Sequence, residues 1–228
     1  VALATLIAEY SAGLLGFWLV CRNLAPMAGR LHQEQVLNPV QLRRMLSVNR
    51  NILIRSLCLQ TAFVLFTAIG ARMGDTLLAA NAILLNFQLL LSFFLDGFAQ
   101  AAEALVGGAI GRKDRAQFRA AVKASSIWAL VFAVLYSAVY FAFGEHLINL
   151  MTNVEAVREV ARLYLPWAAI SPLISFWSFQ LDGIYIGATH AREMRNSMAT
   201  ALLFYLVALV VLIPLWDNHG LWASFMIL

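Results

Sequence analysis

Charge is what this sequence lacks most. Asp, Glu, Lys and Arg make up 12% of its 228 residues, against roughly 25% in a soluble domain. With 62% hydrophobic residues and a mean hydropathy of +0.77, a soluble protein of this size would expose apolar patches far larger than water-facing surfaces carry. An ordinary soluble all-α domain is set aside on that ground. Cysteine is scarce too. Cys21 and Cys58 give neither a disulfide framework nor metal-ligand spacing, and both read as small apolar fillers. Nucleotide-binding signatures are missing: residues 107–113, GGAIGRK, are glycine-rich with a basic end, but they are not GxxxxGK[ST] and they leave an apolar helix rather than a strand. There is no HExxH and no convincing Ser–His–Asp set, and His32, His146, His190 and His219 fall outside the apolar runs. No enzyme and no metal site is expected. A signal peptide is also missing. VALATLIAEYSAGLLGFWLV has no positive n-region and no clear cleavage site, so it reads as part of a helix, and the chain reads as a segment of a longer membrane protein.

What is present is a series of apolar runs, each near the 20 residues that a spanning helix needs. They cover residues 1–20, 51–71, 77–106, 124–143, 163–188 and 198–215, and a seventh begins after WDNHG. The runs are too long for the roughly 10-residue strands of a membrane barrel, and a bilayer demands that backbone groups be satisfied internally. The fold class is therefore an all-α polytopic helix bundle. The stretch NPVQLRRMLSVNR before the second run reads as an amphipathic interface helix. A short surface helix is expected in the linker 144–162. Lys and Arg number 5, 1, 5, 2, 2 and 0 in segments 21–50, 72–75, 109–123, 144–162, 189–196 and 216–219. That alternation places the first, third and fifth connections on the cytoplasmic side. The basic end of 107–113 would meet anionic headgroups. Trp18, Trp128, Trp216 and Trp222 lie near run ends, where interface anchors belong.

Against this background four carboxylates stand inside the runs: Glu9, Asp96, Glu103 and Asp182. A charge at bilayer depth costs about 2.5–3.5 kcal/mol on insertion scales, and such residues mark ion paths, substrate paths or internal pairing. Asp96, Gln100 and Glu103, at i, i+4 and i+7, share one helical face. Glu103 has a second reading as a solvated helix end. Asp182 has a second reading as a hydrogen-bonder between helices, with Tyr185 at i+3, and Glu9 fits structural pairing as well as function. Gly97, Gly183 and Gly187 permit close helix approach or bending, and Pro166 and Pro172 favour a kink in the fifth run. A carboxylate in low dielectric holds a proton more readily, so proton chemistry at these acids is consistent with their setting.

Residues 95–114, LDGFAQAAEALVGGAIGRKD, and 181–199, LDGIYIGATHAREMRNSMA, resemble the MATE family of multidrug and toxic compound extrusion transporters. The resemblance is closer to its bacterial DNA-damage-inducible protein F branch and extends over the whole chain. It implies two six-helix lobes, with residues 1–20 as the last helix of the first lobe, 21–49 as the cytoplasmic inter-lobe connection, and 50–228 as a second lobe incomplete at its C-terminus. It also implies a secondary antiporter, monomeric in a bacterial inner membrane, that exports organic cations or other amphipathic compounds in exchange for H⁺ or Na⁺. No further cofactor and no nucleic acid is implied; the partners are small substrates and membrane lipids. The helix-7 Glu of one branch corresponds here to Gln60, which cannot titrate, and the helix-10 Asp corresponds to Asp182. The alternatives are a flippase for a lipid-linked intermediate, or a membrane scaffold without transport. The flippase would need a groove lined with cations, and inside the runs the sequence offers Arg55.

Overall fold

A computed structural model describes residues 2–24 and 38–228. The middle of the expected connection 21–49, residues 25–37 with His32, lies outside the described residues. Six helices make up the described chain: α1 (Ala2–Leu24), α2 (Pro39–Arg72), α3 (Asp75–Gly111), α4 (Arg115–Met151), α5 (Glu155–Gly187) and α6 (Ala191–Phe225). The chain divides into two compact units, Val1–Met45 and Leu46–Leu228. In the first unit α1 carries two charged residues, Glu9 and Arg22, and Arg22 lies over the Trp18 ring at 5.3 Å. The remainder concerns the second unit, where the site lies.

Short turns with explicit local chemistry separate its helices. Gly74, at φ 118, breaks α2 from α3 with a backbone that only glycine adopts freely. Asp114 starts α4 by accepting the Gln117 backbone N–H at 3.0 Å. The ends of α3 and α5 close in the same way. Lys113 (φ 56) and Thr189 (φ 59) turn left-handed, and the next residue donates back over five positions, Asp114 to Ala109 O and His190 to Tyr185 O. With connections this short, sequential helices run antiparallel. The side-to-side alternation required by the Lys and Arg pattern follows from that.

The helices are longer than the apolar runs suggest. NPVQLRRMLSVNR is not a separate interface helix: from Pro39 onward it is the first part of α2, which continues unbroken to Arg72. No Pro or Gly interrupts residues 40–69, so nothing stops it. Linker 144–162 likewise holds no helix of its own. It is the end of α4 and the start of α5, with residues 152–154 between them. Arg158 clamps that turn by donating to Thr152 O at 2.8 Å and Asn149 O at 3.2 Å. Four helices, α2, α3, α4 and α6, are long and apolar enough to cross a membrane by length and composition. The expected fifth span, now α5, is not among them. Ser171, Ser175, Ser178, Gln180 and Asp182 dilute it, and it packs against α3, α4 and α6, a position that does not require an apolar surface all round.

Both prolines lie inside α5, which runs on past them. Pro172 cannot donate to Ala168 O; the Ser171 hydroxyl does so instead, at 2.8 Å, and Ser137 of α4 donates to the neighbouring Ala169 O at 2.6 Å. The turn expected at WDNHG is a reversal inside α6, where Asp217 has φ 47 and ψ −124. Beyond it the chain folds back, and Gly220 lies directly against the Leu212 backbone. This returning segment buries Trp222 between Phe66 (5.0 Å, edge-to-face) and Asn81, whose Oδ1 accepts the indole N–H at 2.9 Å. Trp222 is therefore a core residue and not an interface anchor, whereas Trp18, Trp128 and Trp216 are exposed. His219 also packs inward, beside Tyr164 at 4.7 Å, and its Nδ1 accepts the Trp167 N–H at 3.0 Å. Asn81 and Asn218, both buried, exchange two hydrogen bonds of 2.8 and 3.1 Å and fasten the segment to α3.

Candidate functional site

Arg55 on α2 is the one Lys or Arg of the sequence that falls outside the connecting segments. A guanidinium there needs counter-charge, because taking it from water without a partner costs several kcal/mol. The structure supplies two carboxylates. Arg55 Nη2 forms an ion pair with Asp182 Oδ2 on α5, and both side chains keep about a fifth of their surface open, 20% and 23%. Asp96 on α3 interacts electrostatically with the same guanidinium. The buried Arg55 Nε has no acceptor among the described residues. Arg55 and Asp182 thus form the ion pair between α2 and α5, Asp96 on α3 is exposed nearby, and the two LDG triplets supply the two acids.

Packing explains why the two LDG stretches lie side by side. An added Cβ at Gly183 would run into the backbone of Ala99, and one at Gly187 would meet Glu103 O at 2.5 Å. An added Cβ at Gly107 would in turn lie 3.3 Å from Gly187 O. Contacts at 99/183 and 103/187 advance by four residues on both helices, so α3 and α5 run parallel here along a seam of backbone against backbone. Asp96 stands one turn before Ala99, and Asp182 immediately precedes Gly183. The close approach that the glycines permit sets the stretch of α5 that carries Asp182 beside the stretch of α3 that carries Asp96. Gly97 plays no part in the seam, since a Cβ there would meet nothing within 4 Å.

Beside the seam, Gln180 is buried at 1% exposure between α5 and α4. Its Nε2 donates to Ser125 Oγ, which donates on to Ala121 O at 2.8 Å, while its Oε1 has no partner among the described residues. Toward the far end, Gln100, Glu103, Ala104, Gly107, Gly108, Ile186 and Gly187 line an open groove of about 700 Å³. Glu103 is half-buried at this groove, while Asp96 and Gln100 on the same helix are exposed. Tyr185 is half-buried on α5. Gln60 is exposed, well over 100° around α2 from the buried Ala62 and Phe66. Glu9 is exposed on α1, in the other unit.

Sequence reasoning missed Arg55 as a member of the site, and missed Gln180 and Ser125. Arg55 carried a signal. A lone cation inside an apolar run must have an anionic partner, and the acids available inside the runs were few. Gln180 and Ser125 carried none, because a polar residue flanking a glycine-rich stretch has no recognisable spacing.

Residues 52–188 match the MatE family. The chain is similar over 229 residues, at 42% identity, to DNA damage-inducible protein F of Escherichia coli (strain K12), covering 98% of this chain and 48% of that protein. It is 28% identical over 171 residues to Protein DETOXIFICATION 42 of Arabidopsis thaliana, covering 74% of this chain and 32% of the relative. Multidrug and toxin extrusion protein 1 of Homo sapiens is 23% identical over 239 residues, with 99% and 40% covered. The chain therefore spans about half or less of the length of the curated relatives it matches. Among solved structures, a MOP superfamily transporter from Pyrococcus furiosus superposes with a TM-score of 0.74 at 14% identity, over 80% of this chain and 41% of that one. That likeness extends to the fold. The description of that protein says that the reverse polarity of its binding pocket suggests a different function.

Proposed function

The chain belongs to the MatE family, in the branch of DNA damage-inducible protein F, and from that premise we propose that it contributes the cation-handling cluster of a secondary antiporter. The activity is export of organic cations or other amphipathic compounds in exchange for H⁺ or Na⁺ by alternating access, across a bacterial inner membrane. In this reading residues 50–228 belong to the second of two six-helix lobes, 21–49 form the connection between lobes, and 1–20 close the first.

The observation that carries the reading is the pairing of Asp182 with Arg55, with Asp96 alongside. A cluster with surplus negative charge attracts cations, and in a low-dielectric setting that attraction exceeds its value in water several-fold. Occupation by a proton or Na⁺ and occupation by an organic cation are then mutually exclusive, which is the requirement for exchange. The polar face of Asp96, Gln100 and Glu103 and the groove at Gln100 and Glu103 give a cationic compound a path toward the cluster. The flippase reading draws less support, because the Arg55 guanidinium is engaged by a carboxylate. A scaffold would have no use for surplus charge beside its closest helix crossing.

The test is pH-gradient-driven efflux of a fluorescent organic cation from proteoliposomes holding the intact protein, with Asp182→Asn alongside. Loss of efflux in a variant that still elutes as a folded protein is expected. Unchanged efflux would reduce Asp182 to a structural partner of Arg55 and sink the reading.

A further inference from the structure

The alternation of Lys and Arg between connections sets how many cations lie on one side of a membrane, but not where they stand around a helix. At the start of α4 their placement is ordered. Ala121, Ser125, Ala129, Ala133 and Ser137 form a buried series, one residue in four. Ser125 meets Gln180 and Ser137 meets Ala169 O, so this series faces α5. Two positions along a helix turn it by about 200°. Arg119, Lys123, Ile127, Val131 and Leu135 each precede a member of the buried series by two, and so form the opposite, outermost row. Arg115 extends the row by one turn, and all six residues are exposed.

The row changes character once. Its first three members are cations over about 12 Å of axis, and the next three are aliphatic over a further 12 Å or so. The change falls where the apolar run 124–143 begins. No acid occurs between Arg115 and Gly144. Among the described residues, Arg115, Arg119 and Lys123 have no ion pair and no side-chain hydrogen bond, whereas the nearby Arg112 donates to Gln117 at 3.0 Å. Helix stability does not account for the row either, because a cation in the first turn, as Arg115 is, opposes the macrodipole.

We propose that the outer row of α4 is a docking surface for an anionic phospholipid, with the phosphate against the three cations and an acyl chain along Ile127, Val131 and Leu135. This stands apart from the antiporter reading and uses none of the residues around Arg55. Charge complementarity names the occupant. A soluble anion would match the cations alone. A protein covering the row would need acids against its first half and an apolar surface against its second. A phospholipid carries both in one molecule, in the order in which the row presents them. The aliphatic half fits within one leaflet's share of a hydrocarbon core about 30 Å thick. The stem of Lys123 can lie on that core's edge with its ammonium at headgroup level.

Trp128, exposed and next to Ile127, supplies the readout. The experiment compares quenching of tryptophan fluorescence by dibrominated phosphatidylglycerol and by dibrominated phosphatidylcholine in bilayers holding the intact protein. The part of the quenching that Trp128→Phe abolishes reports on lipid at this row. Phosphatidylglycerol should be preferred there, and Arg119→Gln/Lys123→Gln should lower the preference by about fivefold for each cation removed. A second variant adds Ala116→Lys and Ala120→Lys to that pair. It keeps the charge of the connection but moves two cations about 100° around the helix, and its preference should stay low. Equal quenching by the two lipids in the parent protein overturns the proposal. So does full preference in the relocated variant, which would make the connection's total charge sufficient. Absence of any Trp128-dependent quenching would place protein against the row and overturns it too, as would displacement of the lipid by millimolar glycerol phosphate, the mark of a site for free phosphate.

Discussion

Substituting Gly183 by alanine tests the seam on which the site depends. The added methyl carbon would collide with the carbonyl oxygen, carbonyl carbon and Cα of Ala99. All three are backbone atoms of a helix, so no side chain can swing aside and α3 must move away from α5. Overpacking of this kind costs about 1–3 kcal/mol. The upper end applies here, because parting the helices also loosens the next contacts along the seam, Glu103 against Gly187 and Gly107 against Gly187. Offsetting this, replacing Gly by Ala within a helix gains about 1 kcal/mol, which leaves a net loss of about 2 kcal/mol. Gly97, two residues from Ala99 on the same helix, has nothing within 4 Å of an added Cβ, so Gly97→Ala keeps the gain and should stabilise by about 1 kcal/mol. The two variants should therefore differ by about 3 kcal/mol, more than a hundredfold in the unfolding constant at about 1.4 kcal/mol per decade. SDS titration of the purified protein, followed by tryptophan fluorescence, measures the difference. Equal midpoints for Gly183→Ala and Gly97→Ala would refute the backbone-to-backbone seam.

Three further outcomes are expected in the same titration. Asn81→Ala strands the Asn218 amide and the Trp222 indole N–H in a buried setting; at about 1–3 kcal/mol for each unpaired group it should cost about 3 kcal/mol or more, and a loss below about 1 kcal/mol would contradict the network. Asp217→Gly should raise the midpoint by about 1–2 kcal/mol, because φ 47 with ψ −124 is strained for any side-chain-bearing residue; a lowered midpoint would show that the aspartate does something glycine cannot. Tyr140→Phe keeps the ring stack on Phe87 at 5.0 Å but removes the hydroxyl's bond to Phe87 O at 2.8 Å, so a loss of about 1 kcal/mol is expected and a loss of several would point to the ring instead.

Much of the fold could be read from the sequence, and the parts that could not have physical reasons. Helical class, antiparallel alternation and the reversal after residue 215 follow from run length, loop charge and the WDNHG turn. Helix ends were misplaced because hydropathy marks where a helix is apolar, whereas a helix continues wherever nothing stops it. Residues 40–50 and 144–151 are polar enough to end a run, but they contain no proline that would end a helix. Trp222 was misjudged because a Trp near the end of an apolar run looks the same whether it meets headgroups or an aromatic core. The difference lies in Phe66 and Asn81, more than 100 residues away. At the site, the acids were visible as charges out of place. That Asp182 pairs with Arg55 was not, since proximity between helices is decided by contacts such as Gly183–Ala99 and Gly187–Glu103, and no spacing within one helix encodes it.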